Sequence, residues 1–193
     1  SHFLWKYDTE QLAELLVADV CDGIDIYDYA GPIVKRSEGR AGVIKAACSL
    51  QSITTVEKKE LRAAAIASNI TGAPVSLHLE KGTMALEAID ILLENGAKPN
   101  NIILGHIDRN PDYYYHEQIA KRGVFLIYDG AARVKYYTDE VIARLIEHMV
   151  ETGFEDQLLM GADLGGKSYF RSYEAPASVT TWAFSLLAFW LRA

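Results

Sequence analysis

The stretch NIILGHIDRNPD, residues 101–112, decides how this chain is read. An apolar run leads into a glycine, then His106, then the polar cluster Asp108, Arg109 and Asn110. A short apolar run bounded by turn residues is the pattern of a strand buried on both faces. His106 is then either a metal ligand at the end of such a strand or a histidine satisfied by local hydrogen bonds. What stands at the ends of the other strands separates the two readings.

Outward from this stretch the chain alternates. Residues 9–22 read as a helix, with Thr9 as cap, Leu12, Leu15, Leu16 and Val20 on one face, and Gly23 as stop. After a loop containing Gly31-Pro32 comes a short strand at 41–49. A helix at 55–70 ends at Gly72, and APVSLHLE at 73–80 reads as a strand. A helix at 83–95 closes at Gly96, and the quoted stretch supplies the next strand. HEQIAKRG, 116–123, is a short helix and VFLIYDG, 124–130, a strand. A helix at 138–152 has Thr138 as cap and Val141, Leu145 and Met149 on one stripe; DQLLMGADLG, 156–165, is the last strand. Such regular alternation predicts a parallel α/β sheet covered by helices. Two closures fit it: an open doubly wound sheet, or part of a (β/α)8 barrel. No GxGxxG or GxxxxGK[ST] follows any strand, so the usual nucleotide-binding signature is missing.

The whole chain sets bounds. Its 193 residues, half hydrophobic and 23% charged, suit one globular domain spanning 1–193. A net charge of -7 and a pI near 5.2 argue against nucleic acid and anionic membrane as general partners. A small anionic ligand in a local basic pocket remains compatible with them. Cys21 and Cys48 form no CxxC or Cys/His cluster and read as reduced thiols of a cytoplasmic protein. No signal peptide is visible, and the apolar segment 179–193 is too short for a typical membrane helix. Its Trp182, Phe189 and Trp190 read either as the interface of a homodimer or as core residues deprived of neighbours.

Polar residues recur at one end of the strands. Lys45 lies in GVIKAAC, His78 in VSLHLE, His106 after NIILG and Asp163 in LMGADLG. Ionisable groups in apolar strands are costly unless paired or bound to metal. In parallel α/β folds the site is built at the C-terminal ends of the strands. Each residue has an ordinary alternative: a locally satisfied histidine, a snorkelling lysine, a capping aspartate. Four of them at matching positions on successive units point instead to a metal site, and His and carboxylate donors suit Zn²⁺ and similar ions. His116 and His148 lie within helix patterns and read as surface or packing residues.

The motifs GVIKAA, APVSLHLE, LGHIDRNPD, YDG at 128–130 and MGADLG together resemble the phosphotriesterase-like branch of the amidohydrolase superfamily, from about residue 9 to about residue 190. The resemblance implies a (β/α)8 TIM barrel with two divalent metal ions: zinc first, with manganese, cobalt or iron as alternatives. It implies that Lys45 is carboxylated and bridges the metals, that His78 and His106 bind one, and that Asp163 binds the other and handles the proton of a bridging hydroxide. The family's first strand carries an HxH pair, and this chain has none. Its five strands then correspond to the fourth to eighth of the barrel. The expectation is an incomplete barrel lacking its first three strands and its extreme C-terminus, with the HxH roughly 100 residues upstream.

Within the family, Arg109 and Gly130 stand where the dedicated triesterases place an acid–histidine relay. GPIVKRS at 31–37, KGTMALEAIDIL at 81–92, HIDRNPDYYYH at 106–116 and RVKYYTD at 133–139 resemble the subgroup that opens phosphorylated sugar lactones. That resemblance implies that Lys135 and Tyr169 hold the substrate phosphate. The expected arginine falls on Gly166, with Lys167 and Arg171 as substitutes. The ordinary alternative is that Arg133, Lys135, Lys167 and Arg171 are solvated loop charges. Three functions compete: a metal-dependent lactonase, an organophosphate triester or carboxylic ester hydrolase on the same site, and a metal-poor relative that binds a sugar phosphate or a partner without catalysis.

Overall fold

In the computed structural model, which describes residues 6–131, 133 and 135–163, helices and strands alternate along the chain. They are α1 (Thr9–Cys21), β1 (Ile44–Cys48), α2 (Thr55–Thr71), β2 (Val75–Leu79), α3 (Ala85–Glu94), β3 (Ile102–Gly105), α4 (Tyr113–Ala120), β4 (Phe125–Tyr128), α5 (Asp139–Glu151) and β5 (Leu158–Met160). The segment 179–193 lies outside the described residues. Among the described residues, no helix is long and apolar enough to cross a membrane.

The strands are all parallel and lie in the order β1-β2-β3-β4-β5. This order separates the two closures. A doubly wound sheet reverses its strand order to place helices on both faces. Right-handed crossovers in strictly sequential order place every helix on the same face. Burial agrees. Ile44, Ala46, Val75, Leu77, Leu79, Ile102, Leu104, Leu126 and Tyr128 are buried in the one core under the helices. The alternate residues Lys45, Ser76, His78, Ile103, Phe125 and Ile127 are only partly covered or exposed. The sheet is therefore an arc of a (β/α)8 barrel, and its half-open face is the one a barrel turns toward its axis.

Several boundaries move for local reasons. Asp8, not Thr9, caps α1: its carboxylate accepts from Gln11 N at 2.8 Å, and Gln11 Oε1 accepts from Asp8 N at 3.1 Å. Asp112 accepts from Tyr115 N at 3.0 Å and so starts α4 at Tyr113, three residues earlier than the sequence suggests. Thr138 occupies the cap position of α5, but its hydroxyl makes no capping bond. α2 ends as expected on Gly72, whose φ of 76° is left-handed.

The loop between α1 and β1 is held by its own polar cluster. The Asp25 carboxylate accepts from Tyr29 N and Lys35 N, both at 2.8 Å. The Tyr29 hydroxyl donates to Asp19 at 2.6 Å, and Arg36 donates to Gly23 O at 2.9 Å while pairing with Asp19. An α-to-β connection lies at the N-terminal ends of the strands. The GPIVKRS stretch is thus a structural latch on the side of the sheet away from the candidate site.

Candidate functional site

Register places the candidate residues on the half-open face. Ala47 pairs with His78 and His78 with Gly105, so Lys45 and His78 share a face on adjacent strands, two residues apart in register. β3 ends at Gly105, one residue before the strand expected from the sequence. A Cβ at that glycine would stand 2.9 Å from Leu77 O. His106 itself takes a left-handed φ of 66° and opens the short turn Ile107–Arg109. That conformation is costly for a residue with a Cβ and is held only by surrounding contacts.

Those contacts are specific. His106 Nε2 lies 2.8 Å from His78 Nδ1, with ring centroids 4.5 Å apart. Each ring meets a carboxylate on its other side: His106 Nδ1 reaches Asp129 at 2.8 Å, and His78 Nε2 reaches Glu80 at 3.1 Å. Asp163 follows β5 in a left-handed conformation with φ 47°. Its Oδ2 accepts from Arg109 at 3.1 Å and is ion-paired with Arg133 at the same distance. Arg133 also donates to the Asp163 carbonyl. Arg109 stands 3.6 Å from Asp129 and so links the two carboxylates. Its guanidinium lies 4.6 Å from the centre of the Tyr136 ring, which Lys135 Nζ also approaches, at 4.8 Å. Lys45 is exposed on the open face. Partial desolvation nevertheless lowers the pKa of its ammonium, while the charges of Asp129 and Asp163 oppose that fall.

The structure thus brings His78, His106 and Asp129 into one chain of contacts and ties Asp163 to it through Arg109, with Lys45 in the field of both aspartates. Lys135 is exposed and, among the described residues, approaches the group through Tyr136. Lys167, Tyr169 and Arg171 lie outside the described residues, as does Gly166. Arg133 is half-buried and paired with Asp163, not a solvated loop charge. Sequence reasoning passed over Asp129 and Glu80 as partners of the imidazoles. For Asp129 the signal was present in YDG, a polar residue just past an apolar strand.

Among the described residues, no three His, Cys, Asp or Glu side chains converge on one point. The donor chemistry of the two histidines still fits a metal. Each ring has one nitrogen bound to a carboxylate, and the two remaining nitrogens face each other. Carboxylate-backed imidazoles of this kind are the usual outer support of histidine ligands, fixing tautomer and ring orientation.

Behind the site, His116 is fully buried. Its Nε2 donates to Ile107 O at 3.1 Å and Asn110 O at 2.8 Å, leaving Nδ1 to accept from the Tyr128 hydroxyl at 2.5 Å. It is a packing residue, as its helix pattern suggests, and burial pushes its imidazole down to about 4. The folded state holds it neutral, whereas an unfolded chain protonates it below about 6.5. The resulting stability is present above 6.5 and is lost as pH falls toward 4, by up to about 3 kcal/mol. His116→Gln is expected to unfold at lower urea than the parent at pH 7, with the difference narrowing between pH 6.5 and 4. Parallel profiles for the two proteins would refute this account.

The comparisons with known proteins agree with this architecture. A sequence model of the phosphotriesterase family matches residues 5–184. A phospho-furanose lactonase of Mycoplasmopsis synoviae is 41% identical over 174 residues, 90% of this chain and 49% of that protein. A crystal structure of an amidohydrolase from Mycoplasma synoviae superposes with a TM-score of 0.86 at 41% identity, covering 89% of this chain and 49% of that one. A lactonase from Listeria monocytogenes superposes with a TM-score of 0.80 at 36% identity, covering 90% of this chain and 50% of that one. The chain spans about half the length of the curated relatives it matches.

Proposed function

This chain belongs to the phosphotriesterase family, and on that premise we propose that it supplies the strand-four-to-eight part of a metal-dependent hydrolase that opens a lactone. The observation that carries the reading is the facing pair His78 and His106, each backed by a carboxylate at the C-terminal end of its strand. We propose further that three preceding βα units complete the barrel and bring the HxH pair. The half-open inner face of the sheet and the doubled length of the relatives support this.

In the proposed site, His78 through Nδ1 and His106 through Nε2 would hold one divalent ion, Asp163 would hold a second, and Lys45, as a carbamate, would serve as a ligand. Zinc is the first choice of ion, since imidazole and carboxylate donors suit it. When bound, such ions supply an acidified water and a polarised carbonyl. The chain's own groups do the rest. Glu80 and Asp129 keep the two imidazoles in their facing tautomers. The lowered pKa of Lys45 favours the neutral amine that must attack carbon dioxide to form the carbamate. Asp163 takes a proton from the water that adds to the lactone carbonyl, and returns it to the ring oxygen as the carbon–oxygen bond breaks, giving a hydroxyacid. Arg109 and Arg133 fix the Asp163 carboxylate for this transfer.

A phosphorylated sugar lactone is the proposed substrate class. The name of the Mycoplasmopsis synoviae relative supports it, together with Lys135 beside Tyr136 in an otherwise acidic chain. Arg109 and Gly130 weigh against triester chemistry, because neither offers the relay acid or imidazole. The test is turnover by the full-length protein, loaded with zinc, of a phosphorylated furanose lactone, the same lactone without phosphate, and an aryl phosphotriester. The expected order is the order given, with all activity lost to a chelator. Faster triester than lactone turnover would sink the lactonase reading, and zinc binding without any turnover would favour a binding protein.

A further inference from the structure

Three consecutive residues at the end of β4 each engage the turn that carries His106. The Tyr128 hydroxyl bonds His116, which holds Ile107 O and Asn110 O. Asp129 meets His106 at 2.8 Å. Gly130 N donates to Asp108 Oδ2 at 2.6 Å. Asp108 is 2% exposed, and its other oxygen is buried with no hydrogen-bond partner among the described residues. A buried carboxylate oxygen without a partner is costly, and such groups call for an explanation. The neighbouring glycine bears on the oxygen that is bonded. A Cβ at Gly130 would stand 2.5 Å from Asp108 Oδ2 and 3.4 Å from Asp108 Cγ. Position 130 can carry a side chain, or donate its backbone N–H to Asp108 in this geometry, but not both.

We propose that Asp108 is a positioning residue: by holding the backbone amide of Gly130 it sets the Asp129 carboxylate against Nδ1 of His106. The role rests on the proposed function for what His106 then does, but its geometry does not. The lock acts one residue beyond Asp129, where a small rotation of the backbone would swing the carboxylate off the ring.

The test uses the full-length protein. In the metal-free state, a His106 Nδ1 proton shared with Asp129 is expected to give a far-downfield NMR resonance, assigned by its absence from H106A. Asp108→Asn keeps an acceptor for Gly130 and is expected to keep the resonance. Asp108→Ala and Gly130→Ala are expected to lose or shift it, and to weaken zinc binding by about 10–100-fold in chelator competition. The double variant D108A/G130A is expected to be no worse than either single change, because both remove one bond. A folded D108A with the parent's resonance and zinc affinity would overturn the proposal, as would losses that add in the double variant. If D108A does not fold, G130A decides: a parent-like resonance there overturns it equally. Absence of lactone turnover in the parent sinks the proposed function and leaves this readout standing, so the two failures are distinguishable.

Discussion

His106→Ala is expected to lower kcat/KM for lactone hydrolysis by on the order of 10³-fold or more in the full-length protein. Two losses combine. The change removes the imidazole nitrogen that faces His78, and with it the proposed hold on an ion worth several kcal/mol of transition-state stabilisation, each 1.36 kcal/mol being tenfold in rate. It also takes from Asp129, a buried carboxylate, its 2.8 Å partner and leaves it only the longer contact to Arg109 at 3.6 Å among the described residues. Steady-state kinetics with a phosphorylated furanose lactone, beside zinc content by elemental analysis, checks it. Retention of both would mean that His106 is only the satisfied strand-end histidine of the ordinary reading.

Asp163→Asn is expected to reduce kcat by about 10²- to 10⁴-fold, the usual worth of a positioned proton-transfer group. The amide preserves the size of the side chain, so KM is expected to move far less than kcat. The same change weakens the ion pairs to Arg109 and Arg133 at 3.1 Å. Arg109 keeps Asp129 at 3.6 Å, so the buried guanidinium is not left without a counter-charge. A kcat within tenfold of the parent would remove Asp163 from the proton path. A fall in KM and kcat together with loss of folded protein would show a structural role instead.

Much of the fold was legible because its signals are local. Gly72 ends α2 through a left-handed φ, and Gly105, the last residue of β3, leaves no room for a Cβ beside Leu77 O. Two residues of the site went unread because their meaning depends on a distant partner. Asp129 looked like any turn aspartate until β4 placed it against His106. Arg133 looked like a loop charge until it folded back onto Asp163. Asp8 and Asp112 were passed over as caps because the hydrophobic pattern alone starts their helices elsewhere.

By itself the sequence determined the βα alternation and the presence of Lys45, His78, His106 and Asp163 at or near strand ends, since periodicity and turn chemistry act over a few residues. The tertiary structure alone decided that the strands lie in sequential order with the helices on one face, making the sheet an arc of a barrel. It also decided that Asp129 reaches His106 and that His106 faces His78. Those contacts join residues 23 and 28 positions apart in the chain. Such distances are set by strand register and crossover handedness, which no short stretch of sequence carries.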